Sequence, residues 1–305
     1  VQWWDLLDVS AWIAFAPETR GRRPKLWVKD PDGNVWLRKE PLSPPPAGTP
    51  QHTARRTEPA IELLALELSK RVGIETSSAR PASWNGGRGV VSRRFHEDDE
   101  EHHPGGELLG LATESGSNPE AKRRRDEGRA SATLGRVRAT LEPLERAHGV
   151  PLLAPLSRIL AFDAWIGNGD RHAGNWAVIT GPRGARFAPM FDPAACLGVE
   201  MTDERVELVL SSNDRVERYI AKCGSGFGGG LPNGRTGIPM FEALRLLAEW
   251  PEWPKTISEL APRVRSVLSD VPGIIDKIPD DWLPPPRKRF AARVLERRAR
   301  LFDGA

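Results

Sequence analysis

"GNGDRHAGNWAVI", Gly167 to Ile179, ends one apolar run, Leu152 to Ile166, and leads at once into a second. The first run has the length and continuity of a buried helix, and the second, from Trp176 to Ile179, that of a short strand. Between them stand Asn168, Asp170, Arg171, His172 and Asn175. Alone, Asp and Asn in such a stretch read as turn formers whose side chains bond nearby backbone groups. The Asp170 to Asn175 spacing, D-x-x-x-x-N, also supports a second reading. Phosphoryl transfer from ATP needs a carboxylate to take the acceptor's proton, an amide and a second carboxylate to hold magnesium, and a lysine on the phosphates.

The neighbouring sequence decides between the two. Downstream, "WAVITGPRGARFAPMF" reads as a β-hairpin that delivers Asp192 in "MFDPAACLG". Upstream, "KLWVKDPDGNVWLRKE", Lys25 to Glu40, has two β-type runs around an Asp-Gly turn. Alternation puts Val35, Leu37 and Lys39 on one face of the second strand and Trp36 and Arg38 on the other. "PAIELLALELSKRVG" then predicts a helix over 59–72, with Pro59 at its first position and Gly73 at its end. Glu62 lies at the edge of that helix's apolar stripe and looks inward, whereas Glu67 faces solvent.

Each of these residues has a plain structural reading. Lys39 could be a snorkelling surface lysine, Glu62 a helix-flank carboxylate and Asp192 a helix cap. Their order along the chain favours chemistry: a strand lysine, a helix glutamate, the D-x-x-x-x-N loop, then an Asp after a hairpin. Asp170 is thus the candidate catalytic base, Asn175 and Asp192 the candidate metal ligands, and Lys39 with Glu62 the candidate phosphate-orienting pair. His172 is assigned a supporting role in the loop. "TRGRRPK", Thr19 to Lys25, stands where a nucleotide-covering loop belongs, which makes Gly21 and Lys25 candidate cofactor contacts. Asp163 and the glycine-rich stretch Cys223 to Gly230 read as structural.

With 39% hydrophobic and 28% charged residues, the 305-residue chain can bury a core. The expected fold class is α+β and bilobal, with a small β-rich N-lobe over 1–100 and a larger, mainly helical C-lobe over 131–305. The charged segment 101–130 reads as a linker or mobile loop. Cys196 and Cys223 have no ligand-type neighbours at metal spacing, so neither a disulfide framework nor a zinc site is indicated, and a reducing cytoplasm fits. The apolar N-terminus contains Asp5 and Asp8 and lacks a basic leader region, and no run reaches membrane-span length. The net charge of +3 argues against direct nucleic-acid binding. The basic clusters Arg20–Arg23, Lys122–Arg125 and Arg287–Arg300 read as solvated faces. The last predicts a terminal helix with Phe290, Val294, Leu295, Leu301 and Phe302 inward and its arginines outside.

"FDAWIGNGDRHAGNW", followed by "FAPMFDPAACLG", resembles the catalytic and metal-binding motifs of the HipA-like serine/threonine kinases, relatives of the phosphoinositide-kinase-like fold. "RGRRPKLWV…VWLRKEP" is similar to that family's phosphate loop and ATP lysine, and "PAIELLALELSKRVGIETSSARPA" to its first helix and following strand. The resemblance implies a protein kinase fold, ATP and Mg2+ as cofactors, a protein serine or threonine as acceptor, and a translation-related substrate or an antitoxin-like regulatory partner. It departs at the phosphate loop, where HipA toxins carry a phosphorylatable serine and the nearest hydroxyl here is Thr19. Two other readings compete with it. A small-molecule kinase of the aminoglycoside or choline type uses the same Asp–Asn spacing, with Asp203, Glu204 and Glu207 near its acceptor region. A nucleotide-binding pseudokinase or interaction module would use the arginine-rich C-terminal helix.

Overall fold

Nine strands and eleven helices account for the regular structure among the residues that the computed structural model describes, 3–18, 25–39, 51–111, 119–228 and 237–303. The first strands are β1 (Leu7–Asp8), β2 (Ile13–Pro17), β3 (Lys25–Lys29) and β4 (Val35–Lys39). Helix α1 (Gln51–Arg71) follows, then β5 (Ala79–Trp84) and β6 (Gly87–Arg93). These strands make one sheet in the order β1-β5-β6-β4-β3-β2, antiparallel except where β1 runs parallel to β5.

The β3–β4 hairpin forms where its sequence predicts it. Gly33 takes the left-handed conformation, with φ 83°. Asp30 accepts from the Asp32 and Asn34 amides and from the Trp36 indole N–H, at 3.0, 2.8 and 2.9 Å. Alternation also holds. Trp36 joins Val9, Val28, Ala82 and Val91 in a cluster on one face of the sheet, and Lys39 is buried on the other, toward α1.

Helix α1 starts earlier than the predicted 59–72, so Pro59 lies inside it. Proline lacks an N–H and removes one hydrogen bond to the preceding turn, but the helix continues upstream of it. Its apolar stripe packs Ile61, Leu64, Ala65, Leu68 and Val72 into the main core. Gly73, with φ 79°, ends the helix as expected.

The segment read as a linker is structured on both sides of 112–118, which lie outside the described residues. It holds β7 (Glu101–Pro104), the short α2 (Gly105–Leu108) and α3 (Pro119–Ser131). Charged "EHHP" becomes a strand because it pairs as an edge with β8 (Ala177–Gly181), and an edge strand tolerates polar side chains. β8 and β9 (Gly184–Phe187) form the predicted hairpin, completing a three-stranded sheet.

The C-terminal part is helical. It contains α4 (Leu134–His148), α5 (Leu153–Ile166), α6 (Asp203–Leu210), α7 (Asn213–Ala221), α8 (Met240–Leu247), α9 (Trp253–Leu268), α10 (Val271–Asp276) and α11 (Pro285–Ala299), with a 3-10 turn at Arg300–Phe302. The expected α+β class, a β-rich N-terminal sheet and a helical C-terminal part, is therefore observed. One core runs through α1 and the C-terminal helices. The two parts also meet at Met190, whose carbonyl accepts from the Ser77 amide and the Thr76 hydroxyl, both at 2.9 Å. No helix among the described residues is long and apolar enough to cross a membrane.

The terminal helix corrects one expectation. Phe290, Val294, Leu295 and Phe302 are buried as predicted, but so are Arg287 and Arg298. Arg298 Nε donates to the Ala164 carbonyl at 2.6 Å, and Arg287 Nε to Asp203 at 2.6 Å. An arginine that reaches backbone carbonyls left open at a helix end satisfies them and itself, which makes its burial tolerable.

Candidate active site

Helix α5 is buried along nearly its whole length. It ends at Gly167, whose φ of 71° turns the chain out of the helix. Arg298 reaches its last turn, and the Asn168 amide closes on the Asp163 carbonyl at 2.9 Å. The loop from Asn168 to Asn175 hangs from this fixed end.

Inside the loop nearly every polar group is used. Asn168 Nδ2 donates to Asp163 Oδ1 at 2.8 Å, and the Asp170 amide donates to Asn168 Oδ1 at 3.2 Å. Asn175 Nδ2 donates to the Asp170 carbonyl at 2.8 Å, which fixes that amide and leaves Oδ1 as its acceptor atom. The Gly106 amide at the start of α2 donates to the Ala173 carbonyl, and the Gly105 amide to that of Trp176, each at 2.8 Å. Gly105 is required at this position, because a Cβ there would stand 2.3 Å from the Trp176 ring.

Arg171 is the pivot of the loop, and sequence reasoning did not assign it a role. Its guanidinium is buried and grips both oxygens of buried Asp163, at 2.7 and 3.0 Å. Its Nη1 donates to two carbonyls, that of Asn175 at 2.8 Å and that of Phe191 at 2.7 Å. One nitrogen thus ties the end of the D-x-x-x-x-N loop to the residue before Asp192. The available signal was Asp163, the lone carboxylate of a largely apolar helix, since a buried charge demands a buried partner.

Asp192 has a positive φ, 53°, unusual for a residue with a side chain. Its carboxylate is 3.2 Å from Lys39 Nζ, and the same nitrogen lies 2.5 Å from Glu62 Oε1. The structure therefore brings together Lys39 of the sheet, Glu62 of α1 and Asp192 of the loop after β9. Lys25 stands opposite Lys39 in the β3–β4 register. Gly21, with the rest of 19–24, lies outside the described residues.

Asp170 is open to solvent, with 45% of its side chain exposed. His172 Nε2 is 3.9 Å from its Oδ2. Burial pushes the His172 imidazole below its ordinary pKa, and the charge of Asp170 partly opposes that shift. His172 Nδ1 accepts from the Gly174 amide at 2.9 Å, which places the proton of the neutral ring on Nε2, the nitrogen facing Asp170. Arg129 at the end of α3 brings a guanidinium nitrogen within 3.4 Å of the other oxygen, Asp170 Oδ1.

The described part of the glycine-rich stretch, 223–228, serves as packing. A Cβ on Gly226 would lie 2.3 Å from the backbone of Arg171, so only glycine lets the two segments touch. Among the described residues no group of three or more His, Cys, Asp or Glu could enclose a metal. A hard cation that shares its ligands with nucleotide phosphates needs only one or two protein oxygens beyond them. The carboxylate of Asp192 and the free Oδ1 of Asn175 fit that requirement.

The family model described as HipA-like C-terminal domain matches residues 18–242. The Helicobacter pylori proinflammatory kinase CtkA is similar in structure, with a TM-score of 0.74 at 18% identity over 96% of this chain and 94% of that one. Shewanella oneidensis HipA, in a complex with HipB and operator DNA, gives a TM-score of 0.53 at 12% identity over 97% of this chain and 67% of that one. No curated protein matches the chain in sequence.

Proposed function

The chain belongs to the HipA-like C-terminal domain family, and from that premise we propose that it is an ATP- and magnesium-dependent kinase acting on a serine or threonine hydroxyl of a protein. The observation that carries the reading is the double tie around Asp192. Lys39 joins its carboxylate to Glu62, and Arg171 joins the residue before it to Asn175.

In this reading Lys39, oriented by Glu62, binds the phosphates, while Asn175 and Asp192 hold the metal. The metal, when bound, neutralises charge that develops on the transferred phosphoryl group. Asp170, solvent-facing, takes the acceptor hydroxyl's proton. His172, neutral and with Nε2–H toward Asp170, positions that carboxylate. The rigid bonding of the loop keeps base and metal ligands in fixed relation, which is the main contribution a protein makes to phosphoryl transfer.

The test is transfer of labelled phosphate from ATP with magnesium, to the chain itself and to lysate proteins, followed by identification of the phosphorylated residue. Asp170→Ala should reduce the rate by about 10²–10⁴-fold. A rate equal to wild type overturns the assignment. Label on metabolites alone would replace the acceptor class by a small molecule. The Shewanella protein's complex with HipB supports a regulatory protein partner for this chain as well, testable by co-purification from the source cell.

A further inference from the structure

Helix α3, "PEAKRRRDEGRAS", has no large apolar side chain, so no core face explains its position. Between 122 and 129 it carries Lys122, Arg123, Arg124, Arg125 and Arg129 against Asp126 and Glu127. Its last turn is nevertheless wedged against the site. The Gly228 amide donates to the Ala132 carbonyl at 3.1 Å, and a Cβ on Gly228 would stand 2.0 Å from the Ala130 carbonyl oxygen. The same short loop presses Gly226 onto the Arg171 backbone. Three layers are thus stacked: the end of α3, the glycine loop and the D-x-x-x-x-N loop. Arg129 and Asp170 meet where this stack opens to solvent, with 36% and 45% of their side chains exposed.

We propose that the C-terminal half of α3 selects the acceptor, and that the acceptor it fits is an acidic peptide, with Asp or Glu near the serine or threonine to be modified. This rests on the kinase reading above and adds the substrate class to it. A hydroxyl that reaches Asp170 brings its flanking residues past Arg129, whose one ionic contact among the described residues is that to Asp170 at 3.4 Å. Helix positions 125 and 122, both basic in the sequence, share a stripe with 129. At 1.5 Å rise per residue they lie about 6 and about 10 Å back along the axis. An extended peptide advances about 3.3 Å per residue, so residues about two and three beyond the one facing Arg129 run level with these two helix positions. Placement beside the base favours a peptide over RNA, which the same charges could attract.

The experiment measures fluorescence anisotropy of a labelled peptide with alanine in place of the acceptor serine and glutamates flanking it, compared with its glutamine counterpart. Wild type should bind the glutamate peptide at least about fivefold tighter, with the ratio shrinking as salt screens the pairs. Arg129→Lys should keep the preference and Arg129→Gln should weaken it. Arg129→Glu should turn it toward a lysine-flanked peptide, an inversion that a merely structural role would not produce. Equal binding of the two peptides by wild type overturns the proposal. So does a ratio unchanged in folded Arg129→Gln and Arg129→Glu protein, or displacement of the peptide's advantage by single-stranded RNA binding at the same residue. If the acidic peptide binds selectively but its serine version gains no phosphate from ATP and magnesium, the kinase reading falls and the acidic docking surface stands.

Discussion

Replacing Arg171 by methionine tests the architecture of the site more directly than any change at its open end. The guanidinium is buried, bonded to both oxygens of an equally buried Asp163 and to the Asn175 and Phe191 carbonyls. Its removal leaves Asp163 with the Asn168 amide as a partner but without its cation. Breaking one side of a buried ion pair costs about 3–5 kcal/mol. At about 2 °C per kcal/mol for a chain of this size, the melting temperature should fall by about 6–10 °C. The double variant Asp163→Leu/Arg171→Met removes the uncompensated charge as well, and it should recover about half or more of that loss. Phosphoryl transfer should not recover, because the carbonyls of Asn175 and Phe191 remain untied in both variants. Melting followed by circular dichroism gives the stability, and labelled ATP gives the rate. An Arg171→Met protein that melts within about 2 °C of wild type, or a double variant with wild-type transfer, would refute the assignment of Arg171 as the tie between the two loops.

Other expectations follow from the same contacts. Gly226→Ala places a methyl 2.3 Å from the Arg171 backbone, which cannot rotate away, and should cost about 1–3 kcal/mol together with much of the transfer rate; an unchanged melting curve would contradict this contact. Lys39→Met removes the cation shared by Glu62 and Asp192 and should lower transfer by about 10²-fold or more, read in the same assay with ATP saturation checked separately. Glu100 accepts from the Glu97 amide and pairs with Arg186 and Arg183, and these contacts hold its carboxyl at about 2, below the ordinary 4.5. Folding therefore favours its charged form, so its contribution is full above about pH 4.5 and is lost as the pH falls toward 2. Glu100→Gln should flatten the acid loss of stability in that window, as measured by melting temperatures from pH 6 to 2.5, and should leave the neutral-pH profile without a new slope.

What the sequence determined by itself is local. A continuous apolar run marked α5, an Asp-Gly turn between β-type runs marked the β3–β4 hairpin, and strand alternation put Lys39 opposite Trp36 across the sheet. The order lysine, glutamate, D-x-x-x-x-N, aspartate could be read as a constellation because each member sits on an element whose period or turn chemistry is short-range. The tertiary structure decided where charges separated along the chain come to rest. Arg287 and Arg298 look like the solvated side of an amphipathic helix, yet both turn inward, since the carbonyls they satisfy belong to segments 78 or more residues away. Residues 101–104 read as linker until β8 supplies an edge to pair with. Arg171 and Asp163 lie only eight residues apart, but their bond has value through the two carbonyls it gathers from the loop and from the approach to Asp192. Periodicity reports which face of an element is apolar. It does not report which distant backbone group will lack a partner once the faces are joined, and in this protein those groups set the geometry of the site.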